Sequence, residues 1–206
     1  MMTLTAALAG ADGPGSESVQ PVWDRWNAMS PAERAGGVAE WNERHVSALE
    51  ALDEHQLNTL RVPMSFLPEP LDATGLVGMR LGEHALHSWD VFVSFDPAAQ
   101  IPAEAAALAL QRAPMMMRWA GHADAWVDAP IRIAVTTVAP DHTWRLDIGD
   151  TVTLEPDAHD TDGRLTLPAE TFLRLLTGRL RSADVARVEA TGPATIEDLR
   201  LVFRGF

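Results

Sequence analysis

Residues 131 to 148, "IRIAVTTVAPDHTWRLDI", narrow the choice of folds more than any other stretch. Apolar and polar residues alternate on both sides of "APD", and β-branched residues are frequent, so two strands joined by a turn are expected. On a helix the same period of two would scatter the apolar side chains around the whole cylinder. "TVTLEP" and "GRLTLP" continue as third and fourth strands, and "ARVEATG" reads as a further one. "PAETFLRLLTGR" has Pro168 near its start and Gly178 just past its end, the asymmetry of a helix. "PATIEDLRLVF" is expected to close the chain as another helix.

Upstream the period changes. A helical turn is expected at Leu4 to Leu8, a loop through "AGADGPGSES", and a short helix in "VQPVWDRWNAM". Ser30, Pro31 and Glu33 form a start signal: a cap, a proline suited to the first helical position, and the partner of a capping box. Val38, Trp41, His45, Ala48 and Leu52 then recur at three- and four-residue steps, which predicts a helix over about residues 31 to 56. "RVPMSFLPEP" is a loop, Asp72 caps a helix over about 73 to 95, and Pro102 with Glu104 starts one that Pro114 kinks or stops. The expected class is α+β, with a helical lobe over residues 1–121 and a small α/β lobe over 130–206.

Bulk properties exclude several functions. A net charge of -13 with no basic tract disfavours nucleic acid or anionic membrane as partner. The absence of cysteine removes disulfides, thiolate metal sites and cysteine nucleophiles, so any thiol chemistry must use a small-molecule thiol. No apolar run approaches the roughly 18 residues of a membrane span, and the first residues lack a secretory pattern. A cytoplasmic protein is expected.

The segment "RLGEHALHSWDV", residues 80 to 91, carries the candidate chemistry. At 100° per residue, Arg80, Glu83, His87 and Asp90 fall on one helical stripe, whereas His84 points away from it. Glu83 and His87, four apart, can touch one ion, and Asp90 can brace a ligand from behind. The same stripe also suits an ordinary solvent face, and two ligands are fewer than the three that a catalytic zinc needs. Both alternatives stand on spacing alone. The methionines Met115 to Met117 read as core packing, and "EPDAHDTDGR" as a solvated turn that lacks the calcium-loop pattern.

"GMRLGEHALHSWDV" resembles the fourth-helix motif of the mycothiol-dependent maleylpyruvate isomerase family, a branch of the DinB-like metalloenzymes. "GRLTLPAETFLRLLTGR" is similar to that family's C-terminal domain, where a short strand leads into a helix ending in "LTGR". The resemblance implies a DinB-like helical bundle over 1–121, N-terminally incomplete, followed by the family's small α/β domain over 130–206. It implies a divalent metal, zinc first, on Glu83 and His87, and mycothiol as the thiol cofactor. Arg80 and Arg179 are the candidates for holding a thiol or substrate anion, although each can equally serve as a structural ion-pair partner.

The implied activity is isomerisation of, or thiol transfer to, a small electrophile such as maleylpyruvate. The family's third ligand is a histidine on an upstream helix, in a stretch like "HLA" that this chain lacks. The first ten residues resemble the tail of that helix, and His45 is the obvious substitute ligand, the alternative being that it faces solvent or packs against Trp41. The alternative function is a non-catalytic relative that binds small molecules or another protein. A bundle short of one helix would leave an apolar groove, which makes a homodimer the expected assembly.

Overall fold

A computed structural model describes residues 20–64 and 67–205. The helical turn expected at Leu4 to Leu8 and the loop through residue 18 lie outside the described residues, as do Ser65 and Phe66 of the proline-rich loop. The chain divides into two compact units, Met1–Val77 and Gly78–Phe206.

In the first unit, α1 spans Gln20–Ala28 and α2 spans Pro31–Glu50. The start of α2 is as expected: the Ser30 hydroxyl accepts from the Glu33 amide at 3.3 Å, and the Glu33 carboxylate accepts from the Ser30 amide at 2.8 Å. Its end is not. Asp53 opens a separate helix, α3 (Glu54–Thr59), through a second capping box with Gln56, so the helix expected to reach residue 56 is two helices. No residue of α2 or α3 is fully buried. Among the described residues the buried positions of this unit are Leu60, Val62 and Leu76, and Val62 and Leu71 pair as an isolated bridge.

Most of α4 (Ala73–Phe92) belongs to the second unit, with α5 (Ala103–Leu110) and α6 (Ala113–Ala120) after it. Then come β1 (Ile131–Val138), β2 (His142–Ile148), β3 (Val152–Glu155) and β4 (Gly163–Pro168). The chain ends with α7 (Ala169–Leu176), a 3₁₀ segment at Ser182–Arg187, β5 (Glu189–Thr191) and α8 (Ile196–Val202). The sheet order is β3-β2-β1-β4-β5. β1 lies antiparallel to β2 and parallel to β4, so one strand carries both kinds of ladder.

The alternation read from the sequence is the observed one. Ile131, Ile133, Val135 and Thr137 of β1 are buried, as are Trp144, Leu146 and Ile148 of β2. These side chains form one core with Ala85, Leu86 and Trp89 of α4, with Ala106, Ala109 and Leu110 of α5, and with Met117 of α6. Phe172, Leu173 and Leu176 of α7 join the same cluster.

This arrangement corrects the expected fold. Helices before residue 121 were assigned to a DinB-like bundle, with the sheet in a domain of its own from residue 130. Instead α4 to α6 bury their apolar faces in the same core as a five-stranded sheet, within the unit that begins at Gly78. The physical reason is that an apolar helical stripe is satisfied equally by a helix or by a sheet face.

α7 is buried along its whole length, including Glu170 and Arg174. The Arg174 guanidinium donates to Glu170 at 2.8 and 3.0 Å and to Asp184 at 2.6 Å. Arg187 reaches Glu170 at 2.9 Å, and Arg181 reaches Asp184 at 2.9 and 3.1 Å. Burial by itself raises the pKa of Asp184, yet the hydrogen bonds from Arg181 and Arg174 outweigh it and hold the carboxyl at about 2.

A folded-state value below the ordinary one means stabilisation that is complete above about pH 4 and lost as the pH falls towards 2. Asp184→Asn is therefore expected to lose about 2 kcal/mol near neutral pH and to show a shallower fall in urea midpoint over that window. Parallel pH profiles for the parent and the variant, followed by circular dichroism, would contradict this. Among the described residues no helix is long and apolar enough to cross a membrane.

Candidate functional site

The stripe predicted on α4 forms, and the helix turns its two sides to different uses. Ala85, Leu86 and Trp89 enter the core, while Glu83 and His87 stand on the exposed side. His87 Nε2 lies 3.3 Å from the Glu83 carboxylate, and His87 Nδ1 lies 3.1 Å from Asp90 Oδ2. One imidazole thus meets a carboxylate at each nitrogen.

Asp90 is held from the other side. Arg179 donates Nε to Oδ1 and Nη2 to Oδ2, both at 2.8 Å, in a two-point grip, and donates Nη1 to the Thr177 carbonyl at 3.0 Å. These hydrogen bonds hold Asp90 below the usual carboxylate range. Side-chain exposure falls along the chain of contacts, from 66% at His87 and 55% at Glu83 to 37% at Asp90 and 21% at Arg179. The open end is therefore the Glu83–His87 pair, and the fixed end is the arginine.

The "TGR" sequence explains how Arg179 reaches this place. The Gly178 amide donates to the Leu175 carbonyl at 3.1 Å and the Arg179 amide to the Arg174 carbonyl at 2.7 Å. Together they make a Schellman cap on α7, with Gly178 at φ +70° in the left-handed position that glycine favours. The cap reverses the chain immediately after α7, and Arg179 leaves the turn towards Asp90.

Other sequence candidates are placed as follows. Arg80 is exposed and takes no part in these contacts, and His84 is exposed on another face of α4. His45 is half-buried on α2, in the first unit. His122 is structural: its Nε2 lies 2.9 Å from the Gly205 carbonyl and its amide donates to Val202. His142 stacks on Trp144 with ring centroids 4.0 Å apart, while His55 and His159 are exposed.

Sequence reasoning gave Asp90 a bracing role and Arg179 a ligand-binding one, but did not join them. The pairing spans 89 residues, and no local signal announces it. It also missed Trp89 as the platform for two guanidinium groups, Arg174 at 5.0 Å and Arg181 at 5.4 Å from its ring.

The geometry at Glu83 and His87 suits a metal in one respect. Two ligand atoms bound at about 2.0–2.1 Å to a tetrahedral zinc stand about 3.3 Å apart, and the pair is separated by 3.3 Å. It falls short in another: among the described residues no group of three or more His, Asp or Glu side chains is placed to hold a metal ion. The residues supply two ligands and the support behind one of them.

No family model matches the chain, and no curated protein matches it. Among solved structures, sterol carrier protein 2 from Yarrowia lipolytica in its apo form is similar at a TM-score of 0.25 and 16% identity, over 60% of this chain and 90% of that one. At this TM-score the likeness carries no argument about fold or function.

Proposed function

We propose that the chain is a divalent-metal-dependent, mycothiol-dependent enzyme of isomerase or S-transferase type, acting on a small electrophile. The observation that supports this reading is the Glu83–His87 pair at the separation of two zinc ligands, backed by Asp90 and Arg179. Glu83 and His87 would hold the metal. A bound divalent ion supplies one thing here: it favours the ionised, nucleophilic form of a thiol near neutral pH. The chain itself has no cysteine, which agrees with sulfur arriving on a cofactor. A cytoplasmic setting, where low-molecular-weight thiols stay reduced, belongs to the same reading.

The lack of a third ligand among the described residues favours a second reading, a non-catalytic binding module. A groove of about 420 Å³ beside Leu175, Leu180, Phe203, Arg200 and Arg204 has the size of a small-molecule site.

Metal content separates the two. Protein purified without chelators or a His-tag is expected to carry near one equivalent of divalent metal by mass spectrometry, and the Glu83→Ala/His87→Ala variant none. A mycothiol-dependent assay with maleylpyruvate then follows. No metal in either protein, even after zinc is offered, would leave the stripe as a helix surface and the binding module as the function.

A further inference from the structure

We infer that the groove between the capped end of α7 and α8 binds a small organic carboxylate that carries an apolar body, with Arg200 as the residue that grips it. The inference rests on the binding-module reading, whose ligand class it names. Two short stretches make the groove. Leu175, Gly178 and Leu180 lie at and just past the end of α7, and Arg200, Phe203 and Arg204 at and just past the end of α8. Leu175, Leu180 and Phe203 are buried, so the base is apolar, whereas Arg200 and Arg204 keep 31% and 52% of their side chains open. Among the described lining residues Glu197 alone is acidic. Two guanidinium groups against one carboxylate leave the lining positive, in a chain whose net charge is -13.

The donors that these arginines have left set the ligand. Arg145, Arg174, Arg179 and Arg181 each hold a carboxylate through Nε and Nη2, the side edge of the guanidinium, at 2.7–3.1 Å. Arg200 is engaged differently. Among the described residues its hydrogen bonds use Nη1 only, to Glu197 at 2.8 Å and to Ser182 Oγ at 3.3 Å. The edge that four other arginines of this chain fill with a carboxylate is therefore available on Arg200, in the lining of the groove. Arg204 donates Nη2 to Asp124 at 3.1 Å, which breaks its own side edge, so it adds charge and single contacts instead of a second grip. One two-point edge beside an apolar base matches a monocarboxylate with an apolar tail. An inorganic anion would leave the base unused, and a neutral apolar compound would leave the edge unmet.

Amide ¹H–¹⁵N correlation of the full chain, titrated in turn with 3-phenylpropionate and hexanoate, tests the inference. Saturable shifts are expected at Gly178, Leu180, Leu201 and Arg204, with a Kd of about 0.1–1 mM for ligands this small. 3-Phenylpropanol has the same body without the charge, and inorganic phosphate has charge without the body. Each is expected to bind at least about tenfold more weakly than 3-phenylpropionate. Arg200→Gln should weaken the two acids by about tenfold or more, and Arg200→Lys should recover little of this, because an ammonium has no paired edge. The ion pair of Arg200 is partly exposed, so both variants are expected to keep the urea midpoint of the parent.

No saturable shift with either acid, equal binding to the parent and to Arg200→Gln, or phosphate binding as tightly as 3-phenylpropionate would overturn the inference. Metal content decides the reading beneath it separately. A metal-free chain that ignores both acids remains a binding module and loses this ligand class. A metal-bearing chain that binds them through Arg200 has lost the binding-module reading and kept the site.

Discussion

Arg174→Ala is expected to destabilise the protein by about 3–5 kcal/mol, measured by urea unfolding at neutral pH. The Arg174 side chain is wholly buried and carries the centre of an ionic network, with Glu170 5% and Asp184 8% exposed on either side. Truncation removes the hydrogen bonds to Glu170 and Asp184, and the stacking over Trp89. Arg187 and Arg181 remain, but each lies nearer the surface and already serves its own carboxylate. Two buried carboxylates therefore lose their closest positive charge, and the space left by the guanidinium does not refill.

The comparison with Arg174→Met/Glu170→Gln/Asp184→Asn separates charge from volume. That triple variant keeps most of the packing and removes all the central charges, so it is expected to recover a large part of the loss. A cost below about 1 kcal/mol for Arg174→Ala would mean that water reaches the network and that α7 is held by apolar packing alone.

The two ends of the chain's logic differ in how far they can be read from the sequence. The β1–β2 hairpin was legible because a period of two leaves one face to bury, and that face is the observed one: Ile131, Ile133 and Val135 opposite Ile148, Leu146 and Trp144. The start of α2 was legible because Ser30 and Glu33 satisfy each other locally. Asp53 and Gln56 carry the same signal, but the apolar pattern running to Leu52 concealed the break. The partner of α4 was not legible at all. Ala85, Leu86 and Trp89 mark a buried face without stating whether a helix or a sheet will cover it.

The site divides in the same way. Glu83, His87 and Asp90 come together because α4 is a helix, and helical spacing is a local property. Arg179 arrives by tertiary structure. What the sequence did hold was its means of arrival, the "TGR" that caps α7, and the consequence could be drawn only once α7 had been placed against α4.

Gly178→Ala is expected to cost about 3 kcal/mol and to loosen Arg179 from Asp90 in the same step. The position has φ +70°, where an L residue loses roughly 1–2 kcal/mol against glycine. A Cβ there would also stand 2.5 Å from the Gly205 nitrogen and 2.7 Å from the Arg204 carbonyl carbon. Both are backbone atoms, so no side-chain rotation relieves the contact, and either the cap or the segment after α8 must move. If the cap moves, the Arg179 amide loses its bond to Arg174 and the guanidinium its aim.

The distinguishing comparison is with Arg179→Lys, which leaves the backbone alone and should change the urea midpoint little, because the ion pair is partly exposed. Both variants are expected to loosen the two-point grip on Asp90, but only Gly178→Ala should lower stability strongly. A Gly178→Ala protein as stable as the parent would show that the left-handed turn is not required. Arg179 would then reach Asp90 by its own length, and the glycine beside it would play no part in aiming it.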